Sequence, residues 1–392
     1  MSRLANRLAP HYARFGVTAR VLLTGHSHQA WPDVALAGYL EAFDDAARHV
    51  DDKWERAFAQ AERVRAGYRR LLGLPTAEVA LGSSTFELVV RFLSALDLRA
   101  RPRLVTTAGE FHTVRRLLGR LGEEGVDVVR VPVHPIDTLA ERIADAVDGT
   151  TAAALVSSVL FESARIVENL PLVAAACEAM GAELLVDAYH HLGVVPFEPA
   201  GLEYAWIVGG GYKYLQLGEG NCFLRLPSHA DSLRPVVTGW YAEYAELADS
   251  ARAGETAYPN GAARFAGATY DPVSHYRAAR VFDFFAEQGL TIEVLRATSL
   301  RQTTLMTERF DNLRASADLI ARDSSAPRIA FGGFLALRSP HAATLRAALA
   351  RRGVHTDHRG DVLRLGPAPY VSDTQLHQAM DALGAEVRAL LA

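Results

Sequence analysis

Ala182-Glu183-Leu184-Leu185-Val186-Asp187-Ala188-Tyr189-His190-His191 is an apolar run that ends in an acid and then turns polar. Such a run, without polar alternation, reads as a strand buried on both faces, as in a parallel sheet. In open α/β sheets, ligands gather at the carboxyl ends of the strands. A carboxylate at that position, with apolar residues behind it, is costly unless a cation meets it.

Similar strand-like runs lie on either side, at 78–81, 103–107, 126–131, 152–158 and 205–208. Helical spacing fills the gaps at 86–96, 112–122, 137–146 and 170–180. This alternation predicts an α/β fold whose large domain is a mostly parallel sheet covered on both faces. Earlier in the chain, Val21 to His28 reads as a short strand entering a polar turn. Residues 54–73 have helical spacing and stop at Gly73-Leu74-Pro75. Beyond about residue 230 the pattern changes. A loop rich in Gly, Ala and Tyr (239–271) leads into a long helical stretch, 273–297, and 328–392 reads as strand, helix, strand, helix. A small C-terminal α/β domain is expected there. The expected division is 1–50, a segment contributing to the small domain and the active site, then 51–300, the large domain, and 301–392, the small one.

Composition suits a globular enzyme: 392 residues, 49% of them hydrophobic, with a net charge of −4. No global basic field invites nucleic acid. No apolar run reaches the roughly 18 residues of a membrane helix. Met1 to Arg20 has no apolar signal core. Cys177 and Cys222 are too isolated for a zinc site or a disulfide framework. A cytoplasmic protein with neither nucleic-acid nor membrane partners is expected.

Lys and Arg total 41, and only Lys53 and Lys213 are lysines. Against that bias a retained lysine is informative, because guanidinium cannot serve as an amine nucleophile. Lys53 sits in a charged helical stretch and reads as solvated or ion-paired. Lys213 follows the strand Tyr204-Ala205-Trp206-Ile207-Val208 and three glycines, Gly209 to Gly211, which let the backbone approach a ligand. A lysine partly desolvated at a strand end has a lowered pKa and can act as a nucleophile. For Asp187, one strand away, a protonated pyridine nitrogen is a suitable cationic partner. A cap on the following loop is the plainer role. Gly82-Ser83-Ser84-Thr85, between a strand and a helix, offers N–H groups and hydroxyls to a phosphate, or serves as an ordinary N-cap. In Glu110-Phe111-His112-Thr113, the His or the Phe could stack on a flat ring.

Together these residues resemble the class V aminotransferase group of fold-type I pyridoxal phosphate enzymes, and within it kynureninase, over about residues 20–385. Asp187-Ala188-Tyr189-His190 resembles its Asp-x-x-His, and Tyr212-Lys213-Tyr214-Leu215 its lysine motif. Gly239-Trp240-Tyr241 is similar to its Gly-Trp-Phe, and Leu363-Arg364-Leu365-Gly366-Pro367-Ala368-Pro369-Tyr370 to its carboxylate-gripping segment. The resemblance implies the fold-type I transferase fold, with pyridoxal phosphate as cofactor. It also implies a homodimer with shared active sites and a small amino-acid substrate. Lys213 would be the Schiff-base lysine and Asp187 the partner of the ring nitrogen, with His190 beside it. Ser84, Thr85 and Tyr212 would hold the phosphate, and His112 would lie over the ring. Trp240 and Thr269 would reach the phosphate of the neighbouring subunit. Arg364 would fork onto the substrate carboxylate.

The chain departs from kynureninase at three places. Gly25-His26-Ser27-His28-Gln29 replaces Gly-Asn-Ser-Leu-Gly. Thr107-Ala108-Gly109-Glu110 replaces Phe-Pro-Ser-Asp. Ala266 to Pro272 lacks the Asn that contacts the aromatic amine. His26, His28 and Tyr270 are the candidates for reading the substrate side chain. The expected reaction is kynureninase-like hydrolysis of a Cβ–Cγ bond or other lyase chemistry. The alternatives are class V amino transfer and a catalytically inactive cofactor-binding protein.

Overall fold

The computed structural model describes residues 3–246 and 256–390; residues 247–255, within the expected 239–271 loop, lie outside the described residues. The N-terminal segment carries strand β1 (Val21–Leu22). The main sheet is built from β2 (Glu78–Gly82), β3 (Arg103–Thr107), β4 (Asp127–Val131), β5 (Thr151–Ser157), β6 (Glu183–Asp187), β7 (Trp206–Gly210) and β8 (Cys222–Leu226). Its order is β2-β8-β7-β6-β5-β3-β4. Only β8 runs against its neighbours, β2 and β7. Interior strands such as β5 and β7 are buried at every residue, which is why their sequences lack alternation. The edge strand β4 is mostly only half-buried or exposed.

The helices follow from local signals. In Lys53–Leu72, Ala57, Ala61, Val64, Tyr68 and Leu72 fall on one buried stripe. Gly73 ends that helix at φ +67°, in the left-handed region that glycine enters without cost. Helix Thr85–Ser94 starts at Ser84, whose Oγ accepts from the Glu87 N–H at 3.2 Å.

Two expectations are corrected. Strand β8 is absent from the expected runs, because Cys222-Phe223-Leu224-Arg225-Leu226 is short and carries an arginine. It is a fully buried strand, and the Arg225 guanidinium is spent on the carbonyls of Glu203 and Ala205 at 3.0 and 2.6 Å. The stretch 273–297 is two helices, Val273–Glu287 and Ile292–Asp311. Gly289, at φ +63°, breaks it, and the Thr291 hydroxyl caps the second helix.

Strands β9 (Ala321–Arg322), β10 (Leu335–Arg338), β11 (Val354–His355), β12 (Asp357–Arg359) and β13 (Val362–Leu365) belong to the C-terminal part. Four of them form an antiparallel sheet in the order β12-β13-β10-β9. The fifth, β11, pairs in parallel with β1 through Val21–Val354 and Leu22–His355. The N-terminal segment is thereby stitched to the C-terminal part. The line drawn between residues 300 and 301 falls inside helix Ile292–Asp311, which packs on helix Asp373–Ala389.

The carboxyl ends of β5 and β6 are level, and β7 continues past them to Gly210. Ser157 is in register with Asp187, and Asp187 with Val208. Trp206, fully buried at the start of β7, donates its Nε1–H to Glu183 at 2.7 Å. The large ring buries much apolar area without leaving its polar atom unpaired.

Candidate active site

The loop after β7 is fixed by its own backbone. The Gln216 N–H donates to the Lys213 carbonyl at 3.0 Å, and the Leu217 N–H to the Gly211 carbonyl at 2.9 Å. Gln29, from the N-terminal segment, also donates to the Lys213 carbonyl. The glycines before the lysine serve packing, where ligand approach was expected. A Cβ at Gly210 would lie 2.5 Å from the Tyr189 hydroxyl and 2.7 Å from Cys222 Sγ, and one at Gly211 would strike Leu217.

Lys213 is buried, and its Nζ donates to His190 Nε2 at 2.6 Å. Burial lowers its pKa to about 7; Asp187 opposes that fall and Arg364 adds to it. Burial and the adjacent Lys213 hold the His190 imidazole well below its usual range. Asp187 Oδ1 accepts from the Tyr189 N–H at 2.8 Å, and no described residue hydrogen-bonds Oδ2. Burial pushes the Asp187 carboxyl up, against that hydrogen bond and the Lys213 charge.

These groups share a cavity of about 250 Å3 with Ser84, Thr85, Tyr212, Phe111 and Ser157. The residues present fit pyridoxal phosphate. An amine with a depressed pKa lies in one cavity with a half-buried carboxylate whose Oδ2 no described residue engages. Hydroxyls at a helix N-terminus line the same cavity. The Ser83 N–H at that terminus already donates to Glu87, at 2.9 Å.

Of the expected site residues, Lys213, Asp187, His190, Ser84, Thr85 and Tyr212 line this one cavity. Others are placed differently. His112 is exposed at the start of its helix, with Nδ1 3.2 Å from Arg115. From the same turn Phe111, and not His112, lines the cavity, with its ring centroid 5.2 Å from Lys213 Nζ. Trp240 donates to Thr269 at 3.1 Å. Thr269 and Tyr270 line a separate cavity of about 790 Å3, which shares Ser83, Glu219 and Gly220 with the first. Tyr270 packs there against Trp54, Tyr241 and His275. His28 is exposed and stacks on Tyr212 with ring centroids 4.9 Å apart. His26 is buried, and its Nε2 donates to Asp357 at 2.7 Å. Arg364 is also buried, with its guanidinium on Asp357 and on the Phe161 carbonyl.

Glu110, Ser157 and Asp357 were not assigned to the site. Glu110 is buried and accepts from Thr107 Oγ1 at 2.6 Å, from the Ser157 N–H at 3.1 Å and from Ser157 Oγ at 2.5 Å. Burial raises its pKa to about 7 in spite of those bonds. Its signal was present in Thr107-Ala108-Gly109-Glu110, at the end of a strand. Asp357 carried no signal, because a hairpin Asp is ordinary.

A family model described as the kynureninase C-terminal domain matches residues 295–383. The kynureninase of Deinococcus radiodurans is 28% identical, covering 96% of this chain and 93% of that protein. The uncharacterized aminotransferase YcbU of Bacillus subtilis is 23% identical, over 88% of this chain and 89% of that one. Among solved structures, the apo cysteine desulfurase of Thermococcus onnurineus superposes with a TM-score of 0.83 at 15% identity, covering 99% of both chains. The architecture is that of the fold-type I pyridoxal phosphate enzymes. The chain is kynureninase-like, similar in sequence to a kynureninase along nearly its whole length.

Proposed function

We propose that this chain is a pyridoxal phosphate-dependent enzyme that acts on an α-amino acid by kynureninase-like chemistry, hydrolysing a Cβ–Cγ bond. The observation that carries the proposal is the buried Lys213 amine, 2.6 Å from His190 and in one cavity with Asp187. The cofactor is pyridoxal phosphate. Lys213 would hold it through Nζ, Asp187 would face the ring nitrogen, and Ser84, Thr85 and Tyr212 would take the phosphate. When bound, it draws electrons away from the substrate carbon that bears the amino group.

The chain's own residues supply the rest. Lys213 is about half neutral near pH 7, so it can remove a proton from that carbon as a general base. His190 Nε2 accepts from Nζ and orients it. Phe111 and Tyr189 line the cavity with aromatic surface. Arg364 would grip the substrate carboxylate. Trp240 and Thr269, which lines the wider cavity, would serve a second subunit of a homodimer.

Desulfurase chemistry is disfavoured, because it needs an accessible, ionisable thiol. Cys177 and Cys222 are both buried, and burial pushes both thiols up to about 12. The similarity to the aminotransferase YcbU favours amino transfer as the second reading.

The test is direct. The protein loaded with pyridoxal phosphate should be yellow, and Lys213→Ala should abolish the visible band. Incubation with kynurenine should release anthranilate. Keto acid formed from an amino-acid panel, without anthranilate, would move the assignment to amino transfer. A colourless protein after reconstitution would overturn the cofactor.

A further inference from the structure

A guanidinium has five N–H donors. In Arg364, Nε donates to Asp357 Oδ1 at 2.9 Å and Nη2 donates to Oδ2, the side-by-side fork of an arginine–carboxylate pair. Nη1 donates to the Phe161 carbonyl at 2.6 Å. Two donors remain, one on each terminal nitrogen. A carboxylate of this chain therefore occupies the fork that the resemblance to kynureninase assigns to substrate.

Asp357 is itself braced. It stands opposite Arg364 in the β12–β13 ladder. Its Oδ1 also accepts from His26 Nε2 at 2.7 Å, and Arg359 Nη1 lies 3.6 Å from its Oδ2. His26 is seated against the Phe334 ring at 4.6 Å, and a Cβ on Gly366 would collide with its Nδ1. Arg364 and His190 also lie near that ring, at 5.6 and 6.0 Å. The N-terminal segment, the β12–β13 hairpin and the loop after β5 thus converge on one guanidinium beside the lysine cavity.

Two outcomes are possible when a substrate carboxylate arrives: it displaces Asp357, or it binds beside it. Displacement would take the forked guanidinium from a largely buried carboxylate and leave it the more distant Arg359, at 3.6 Å, as its cation, which is unfavourable. Binding beside it uses the two remaining donors and keeps charge in balance. Two carboxylates would then face the two guanidiniums of Arg364 and Arg359.

We propose that Asp357, braced by His26, is a positioning residue. It stays on Arg364 and presents the two remaining N–H groups to the carboxylate of the amino-acid substrate. The proposal rests on the function given above, and its failure has a separate signature.

The experiment uses the full chain loaded with pyridoxal phosphate and follows the visible band during titration with L-alanine and with ethylamine, which lacks the carboxylate. Asp357→Asn should keep the band, weaken the response to L-alanine about tenfold and leave ethylamine within about twofold. Asp357→Glu, which keeps a carboxylate, should recover part of the loss. With a turned-over substrate, Asp357→Asn should raise KM more than it lowers kcat. If Asp357→Asn does not fold, His26→Gln should show the same selectivity at smaller amplitude. Unchanged L-alanine binding, or equal loss for both amines, would overturn the role of Asp357. A wild-type protein with no band, or with no response to L-alanine, would overturn the proposed function itself.

Discussion

Lys213 Nζ and His190 Nε2 lie 2.6 Å apart, and burial drives both groups toward their neutral forms. The lysine falls to about 7, and the imidazole stays below its usual range. Near neutral pH the contact is therefore between an amine that is often uncharged and an imidazole that accepts. That pairing leaves the nitrogen lone pair available for chemistry, which a carboxylate partner would not do.

The rate at which cofactor-free protein takes up pyridoxal phosphate should follow the neutral Lys213 amine. It should rise with a midpoint near pH 7 and level off above about pH 8; an exposed lysine would keep rising to about 10.4. Asp187 opposes the fall in the lysine pKa, so Asp187→Asn should move the midpoint lower still. Stopped-flow absorbance across pH measures both. A midpoint above about 9 would contradict the burial argument.

Asp187 offers Oδ2 to the cavity while Tyr189 holds Oδ1. Asp187→Asn keeps the shape and removes the charge that would balance a cationic ring nitrogen. Turnover should fall by about 100-fold or more, with the fold intact by circular dichroism. A loss below about tenfold would place the ring nitrogen elsewhere.

Phe111 faces the cavity, whereas His112 is exposed beside Arg115. Phe111→Ala should weaken cofactor retention about fivefold, as expected for loss of one aromatic contact, and His112→Ala should leave it within about twofold. Dialysis followed by absorbance distinguishes them. The reverse order would restore His112 as the ring-facing residue.

Glu110 supplies a pH signature of stability. Its pKa is about 7 in the folded chain and 4.5 in the reference state. The folded state holds the extra proton between those values. Its contribution is therefore complete below about pH 4.5 and is lost as pH rises through 7. Relative to Glu110→Gln, the wild-type protein should lose up to about 3 kcal/mol between acid and mildly alkaline pH. Urea unfolding at several pH values checks this. Parallel curves for the two proteins would show that Glu110 titrates alike in the folded and unfolded chain, so that burial does not shift it.

The parallel strands were legible because buried strands carry continuous apolar runs and helices carry a 3.6-residue stripe. The runs at 183–187 and 205–208 correspond to β6 and β7. Strand β8 was not legible, since Arg225 masks a short run and only its contacts with the Glu203 and Ala205 carbonyls make burial tolerable. The break at Gly289 was missed because helical spacing continues on both sides of it.

By itself the sequence determined the parallel α/β order, the scarcity of lysine and the strand-end positions of Asp187 and Lys213. These follow from local patterns that survive without knowledge of partners. Only the tertiary structure decided which side chains face one another. It put Phe111 rather than His112 toward the lysine, gave the three glycines to packing and set Asp357 in the fork of Arg364. Those outcomes depend on contacts between segments far apart in the chain, such as His26 with Asp357, where burial and charge fix the geometry.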